Sequence, residues 1–137
     1  MHNNKTLGDG GIHHVALRVK DFEKSIRFYS DLLGFVEKVR WNESPKRIAL
    51  LDTGNGSYVE LFESGTKVPT PEDAFWHIAF RVADTDAALE RCRAAGCEVY
   101  AGPKTLTNLG GRGIEVRLAF CKGPDGELIE FFQSDAL

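Results

Sequence analysis

The chain has 137 residues, 42% of them hydrophobic and 27% charged, with a net charge of −3. That is enough for one ordinary domain or two small packed modules. The mixed charge leaves no basic footprint for nucleic acid or an anionic membrane surface, and no stretch is apolar over the length a bilayer demands. Residues 1–11 are polar and Gly-rich, lack the apolar core of a signal peptide, and read as a flexible N-terminal tail.

The first strand signal is His14-Val-Ala-Leu-Arg-Val-Lys-Asp21, in which Val15, Leu17 and Val19 share one face and His14, Ala16 and Arg18 the other. His13 falls on the face opposite His14 and is expected under a helix. From Asp21 the apolar residues Phe22, Ile26, Tyr29 and Leu33 step by four, three and four, the stripe of an amphipathic helix. Asp21 can cap its start and Gly34 can end it. Strands are predicted at 35–41, 47–52 and 57–63, with turns at Asn42 to Pro45 and Thr53 to Gly56. Residues 64–74, with Pro69 and Pro71, form a linker.

The chain then repeats itself. His77-Ile-Ala-Phe-Arg-Val-Ala-Asp84 matches residues 14–21 at five of eight positions, at an offset of 77 − 14 = 63. A second helix follows through Leu89, Cys92 and Ala95 to Gly96. Strands are predicted at 97–101, 115–121 and 127–133, with a turn at Gly123 to Gly126. Residues 102–114, with five Gly or Pro, read as a long loop whose Lys104 and Arg112 can meet an anion. The fold class is α+β, two βαβββ modules (12–63 and 75–133) within one domain of residues 12–137, forming a curved mixed sheet. Cys92, Cys97 and Cys121, an odd count without a CxxC pair, read as buried apolar thiols in a reducing cytoplasm.

The last strand of each module carries an acid between large apolar neighbours. Tyr58, Glu60 and Phe62 share a face, as do Leu128, Glu130 and Phe132. A carboxylate in an apolar setting pairs, neutralises or binds a cation. His14 and His77 stand at equivalent places, so two inward-facing modules can gather His14, Glu60, His77 and Glu130 around one divalent ion. Mixed N/O donors suit Zn, Ni or Co, and also Mn or Fe. Arg18 and Arg81 share the uncovered faces, where each can pair with Glu60 or Glu130 or bind an anion.

Ile12-His13-His14-Val15-Ala16-Leu17-Arg18-Val19, Ser25-Ile26-Arg27-Phe28-Tyr29, Leu33-Gly34-Phe35, Trp76-His77-Ile78-Ala79-Phe80-Arg81-Val82 and Gly123-Pro124-Asp125-Gly126 with Ile129-Glu130 resemble the vicinal-oxygen-chelate superfamily over residues 12–133. The resemblance implies the glyoxalase/bleomycin resistance protein/dihydroxybiphenyl dioxygenase fold around a metal-binding cleft, with glyoxalase I ligands at His14, Glu60, His77 and Glu130. Arg18 matches an arginine that helps hold glutathione there. Ser64 and Asp73 stand where the family has an asparagine and a further arginine, which weighs against glutathione. The implied activity is a metal-dependent lyase or isomerase of the lactoylglutathione lyase type. It moves a proton beside a carbonyl through a metal-bound enediolate, with Glu130 and Glu60 as catalytic carboxylates. Arg18, Tyr58, Phe62, Arg81 and Phe132 would bind an anionic small molecule with adjacent oxygens. Alternatives are an epimerase of a CoA thioester or sugar acid, an extradiol-type dioxygenase, and a non-catalytic binding module. A cytoplasmic homodimer is expected, its modules paired within one chain or swapped between two, without nucleic-acid or membrane partners.

Overall fold

The computed structural model describes residues 3–32, 34–64, 71–122, 126 and 128–137. Leu33 of the predicted first helix, linker residues 65–70, turn residues 123–125 and Glu127 lie outside that set. The described elements run as two βαβββ series, the α+β architecture that the repeat predicts. The chain divides into two compact units. One is His14–Trp76 with Gly110–Arg112, and the other holds the remaining residues.

In the first unit β1 (Ile12–Val19) lies parallel to β4 (Ser57–Glu63), and β3 (Lys46–Gly54) and β2 (Val36–Glu43) extend the sheet antiparallel, in the order β2-β3-β4-β1. Alternation sends Leu17, Val19, Val59 and Leu61 to one face. There α1 (Phe22–Arg27) lays Phe22 and Ile26 against Ala49, Leu51 and Leu61. Asp21 Oδ1 caps the helix by accepting from the Lys24 N–H at 3.0 Å. The α-helix is shorter than the stripe predicts: Phe28–Leu32 continues as a π-helical turn. It closes at Gly34 (φ +76°), where the N–H groups of Gly34 and Phe35 reach the carbonyls of Ser30 and Tyr29. Tyr29 and Phe35 stack 5.7 Å apart over the core, so tertiary packing overrides the regular 3.6-residue spacing.

Arg40 and Arg47 flank the Phe22 ring at 5.2 and 4.8 Å, and both donate to Glu23. Arg47 also forks onto Glu63, whose carboxyl it holds below the usual carboxylate range. A short α2 (Pro71–Ala74) ends this unit's chain just before β5 (Phe75–Arg81).

In the second unit β5 lies parallel to β8 (Leu128–Gln133), with β7 (Ile114–Lys122) and β6 (Val99–Leu109) antiparallel beyond it, in the order β5-β8-β7-β6. The helix α3 (Thr85–Ala94), capped by Asp84 Oδ1 on the Ala87 N–H at 2.9 Å, packs Ala88 and Leu89 on Val82, Ala119, Cys121 and Phe131. Burial pushes the Cys92 thiol up and that of Cys121 up to about 12, as inert core thiols require. Described residues of the segment read as a tail are tied to this unit. Leu7 packs on its core and accepts from the Ala83 N–H, and Gly10 donates to the Arg81 carbonyl.

The stretch 102–114 differs from the predicted loop: β6 runs to Leu109 and β7 starts at Ile114, leaving a turn of four residues, 110–113. Thr105 and Leu106 pair with Arg117 and Val116. The Gly-Pro pair is a bulge rather than a break, because a Cβ on Gly102 would stand 2.8 Å from the Leu118 carbonyl oxygen. No helix among the described residues is long and apolar enough to cross a membrane.

Candidate functional site

The face of each half-sheet left uncovered by its helix carries one imidazole and one carboxylate. In the first unit the parallel register sets His14 opposite Tyr58, Ala16 opposite Glu60 and Arg18 opposite Phe62. Glu60 therefore has the methyl of Ala16 on one side and Leu50 on the other. The small neighbour leaves the carboxylate room to lean toward the imidazole on the same strand as Ala16. His14 Nε2 and Glu60 Oε2 stand 3.0 Å apart.

The second unit repeats this arrangement. Ala79 and Phe120 flank Glu130, Leu128 faces His77, and His77 Nε2 lies 3.0 Å from Glu130 Oε2. All four are withdrawn from solvent: 1% of His14, 9% of Glu60, 1% of His77 and 3% of Glu130 is exposed. A carboxylate placed so deep has lost most of its hydration, which polar partners or a cation must restore.

A separation of 3.0 Å suits an imidazole N–H donating to a carboxylate. It also leaves the two donor atoms close enough to turn toward one ion, were one bound. The donor chemistry of each pair, neutral nitrogen plus anionic oxygen, fits a borderline divalent ion in both units.

The other predicted site residues take definite places. Tyr58 and Phe132 are buried, and Phe62 is half-buried with its ring edge-on to Trp76 at 4.3 Å. Neither arginine pairs with a carboxylate among the described residues. Arg18 donates through Nη1 to the Asp73 carbonyl at 3.0 Å and lies over the Trp76 ring at 4.8 Å. Arg81 donates through Nη1 to the Ile12 carbonyl at 3.0 Å. The alternative of an ion pair from Arg18 or Arg81 to Glu60 or Glu130 thus has no support.

His13 is fully buried, and its ring packs 3.9 Å from that of Phe132, two residues beyond Glu130. Lys104 and Arg112, read as loop cations, lie on β6 and in the turn after it.

Two aromatic residues escaped the sequence reading. Phe120 meets the His77 ring edge-on, centroids 5.1 Å apart. The alternation of β7 about the turn before Glu130 carries a signal for it. Trp76 is the second, and its contact with Arg18 and Phe62 depends on how α2 turns into β5, which no local pattern reports.

Comparison with known proteins bears on the family and the fold. The model of the Glyoxalase/Bleomycin resistance protein/Dioxygenase superfamily matches residues 11–131. A probable lactoylglutathione lyase of Vibrio parahaemolyticus is 34% identical, over 93% of this chain and 94% of its own length. The lactoylglutathione lyase of Haemophilus influenzae is also 34% identical, over 90% and 92% respectively. Among solved structures, methylmalonyl-CoA epimerase from Mycobacterium tuberculosis superposes with a TM-score of 0.70 at 25% identity, covering 90% of this chain and 87% of that one.

Proposed function

The chain belongs to the Glyoxalase/Bleomycin resistance protein/Dioxygenase superfamily, and on that premise we propose that it is a divalent-metal-dependent lyase or isomerase of the lactoylglutathione lyase type. The observation that supports this reading most is repetition: each module independently buries an imidazole and a carboxylate 3.0 Å apart at equivalent places. Packing alone has no reason to repeat so costly a pair. We assign His14, Glu60, His77 and Glu130 jointly as the residues that hold one ion, with Zn, Ni or Co the metals that best suit them.

When bound, such an ion supplies a Lewis acid that polarises a carbonyl oxygen. The rest is the work of this chain. Glu130 takes the proton from the carbon beside the carbonyl and returns it to the neighbouring carbon, with a contribution of about 10²–10⁴ in rate. Glu60 holds its position as a ligand and shares the proton shuttle. Tyr58, Phe62 and Phe132 exclude water and seat the apolar part of the substrate, while Arg18 and Arg81 offer N–H donors to its anionic end.

Elemental analysis of the purified protein, followed by reconstitution and assay on the methylglyoxal–glutathione hemithioacetal, tests the proposal. Thioester formation that needs Zn, Ni or Co and disappears in Glu130→Gln is the expected result. Failure to bind any divalent ion after reconstitution overturns it. A second reading, an epimerase acting on an acidic carbon, is favoured by Ser64 and Asp73, which stand where the glutathione-binding pattern of the family has an asparagine and an arginine. It predicts uptake of solvent deuterium into a CoA thioester or sugar acid without thioester formation from glutathione.

A further inference from the structure

We infer that Cys92 and Cys97, at the C-terminal end of α3, form a thiol–disulfide exchange site that closes an intramolecular disulfide when a low-molecular-weight disulfide reaches Cys97. The site belongs to the second unit alone and does not depend on the metalloenzyme reading.

The way α3 ends makes the case. After Ala94 the chain passes through Ala95 to Gly96, at φ +86°. The Gly96 N–H donates to the Arg93 carbonyl at 3.0 Å, and the Cys97 N–H donates to the Cys92 carbonyl at 2.9 Å. These two bonds are the paired closure of a Schellman motif. In that motif the residue after the left-handed glycine meets the one five positions before it, and an apolar contact commonly fills the meeting point. Here both positions are cysteine. The helix end thus brings together two thiols whose spacing lies outside the CxxC pattern of redox motifs.

The third cysteine approaches from the sheet. Cys92 packs on the core cluster that contains Cys121, and its thiol interacts with those of Cys121 and Cys97. Cys92 is therefore the hub, and exposure decides which neighbour it bonds. Cys121 is 2% exposed in a cluster with Val82, Leu89 and Phe131, and burial pushes its thiol up to about 12. Cys97 is half-buried, so a dissolved reagent meets it first. Burial also raises the Cys92 thiol, which makes it slow toward a free reagent. Contact with Cys97 offsets this, because the bond it attacks is already held beside it. The positive charge of Arg91 favours the Cys92 thiolate as its proton leaves.

The exchange balances in two steps. The Cys97 thiolate attacks a small disulfide RSSR, giving Cys97–S–S–R and RS⁻. Cys92 then releases its proton to solvent and attacks Cys97 Sγ, giving the Cys92–Cys97 disulfide and a second RS⁻. Two protein thiols are oxidised, and one small disulfide is reduced to two thiols. The bridge ties the end of α3 to the chain entering β6, where Val99 pairs with Cys121.

Incubation of the reduced protein with glutathione disulfide, followed by acid quench, intact mass and tryptic mapping, tests this. The expected product has lost two hydrogens, carries no glutathione, links the peptides on either side of Arg93, and returns to the thiol form with dithiothreitol. Cys92→Ser should stop at a stable mixed disulfide on Cys97. Cys97→Ser should react at least tenfold more slowly, and Cys121→Ala should close as the parent does. No reaction, glutathione retained on Cys97 of the parent protein, a bridge that uses Cys121, a disulfide between two chains, or undiminished reaction in Cys97→Ser overturns the inference. Should Cys121→Ala fail to fold, as read by circular dichroism, the peptide map of the parent protein still identifies the bridged pair.

Discussion

Gly110 offers a quantitative test of how the β6–β7 turn is fixed. Its φ is +61°, and a Cβ added there would stand 2.2 Å from Val39 Cγ2 and 3.3 Å from the Arg40 carbonyl oxygen. Val39 cannot yield easily: it is β-branched, only 1% exposed, and held in the middle of β2. Gly110→Ala therefore combines the left-handed backbone cost of an L-residue, about 1–2 kcal/mol, with an overpacking cost of about 1–3 kcal/mol. The neighbouring Gly111, at φ +70° with nothing within 4 Å of its would-be Cβ, incurs the backbone cost alone. The unfolded-state benefit of replacing glycine is common to both and cancels in the difference. Thermal denaturation should place Gly110→Ala below Gly111→Ala by about 1–3 kcal/mol, or about 3–15 °C in Tm for a domain of this size. Adding Val39→Ala to Gly110→Ala should recover part of that gap as a coupling energy. Equal melting of the two glycine variants, or strict additivity with Val39→Ala, would refute the close approach.

Other consequences are as direct. Glu60→Gln and Glu130→Gln should each weaken zinc binding by well over tenfold, read by competition with a chromophoric chelator, whereas Glu115→Gln on the exposed side of β7 should not. Leu61→Ala, which empties a fully buried position under α1, should cost about 2–5 kcal/mol in urea unfolding. Arg117 forks onto Asp86 and holds that carboxyl below the usual range, so the folded state binds fewer protons there than the unfolded chain. The resulting stability is present above about pH 4, the ordinary value for an aspartate, and is lost as pH falls below it; Asp86→Asn should flatten that acid limb in pH-dependent melts. In native protein an alkylating reagent at pH 8 should modify half-buried Cys97 well before Cys121, whose thiol is pushed up to about 12; peptide mapping after brief exposure checks the order.

The two buried imidazole–carboxylate pairs were legible because they obey a strict rule. Strand alternation puts His14 with Ala16 and Arg18, the repeat does the same with His77, Ala79 and Arg81, and period two admits no other grouping. The same rule located Glu60 and Glu130 among large neighbours. What failed was wherever tertiary contact overrides local chemistry. Gly102-Pro103 looks like a break yet sits in a strand, since a bare backbone lets β7 come close. Leu7 is a single apolar residue in a polar run, so its anchoring of the N-terminal segment carries no periodic signal.

The parallel pairing of β1 with β4 and of β5 with β8 has a kinetic corollary. Each donor pair joins the opening strand of a module to its closing strand, spanning 60 − 14 = 46 and 130 − 77 = 53 positions. Neither pair exists in a nascent or half-folded module, because forming it requires that whole loop to close first. A cation supplied during refolding should therefore leave the early rate untouched and act instead on how slowly the finished protein comes apart, so metal uptake would be a certificate of completed assembly rather than its template.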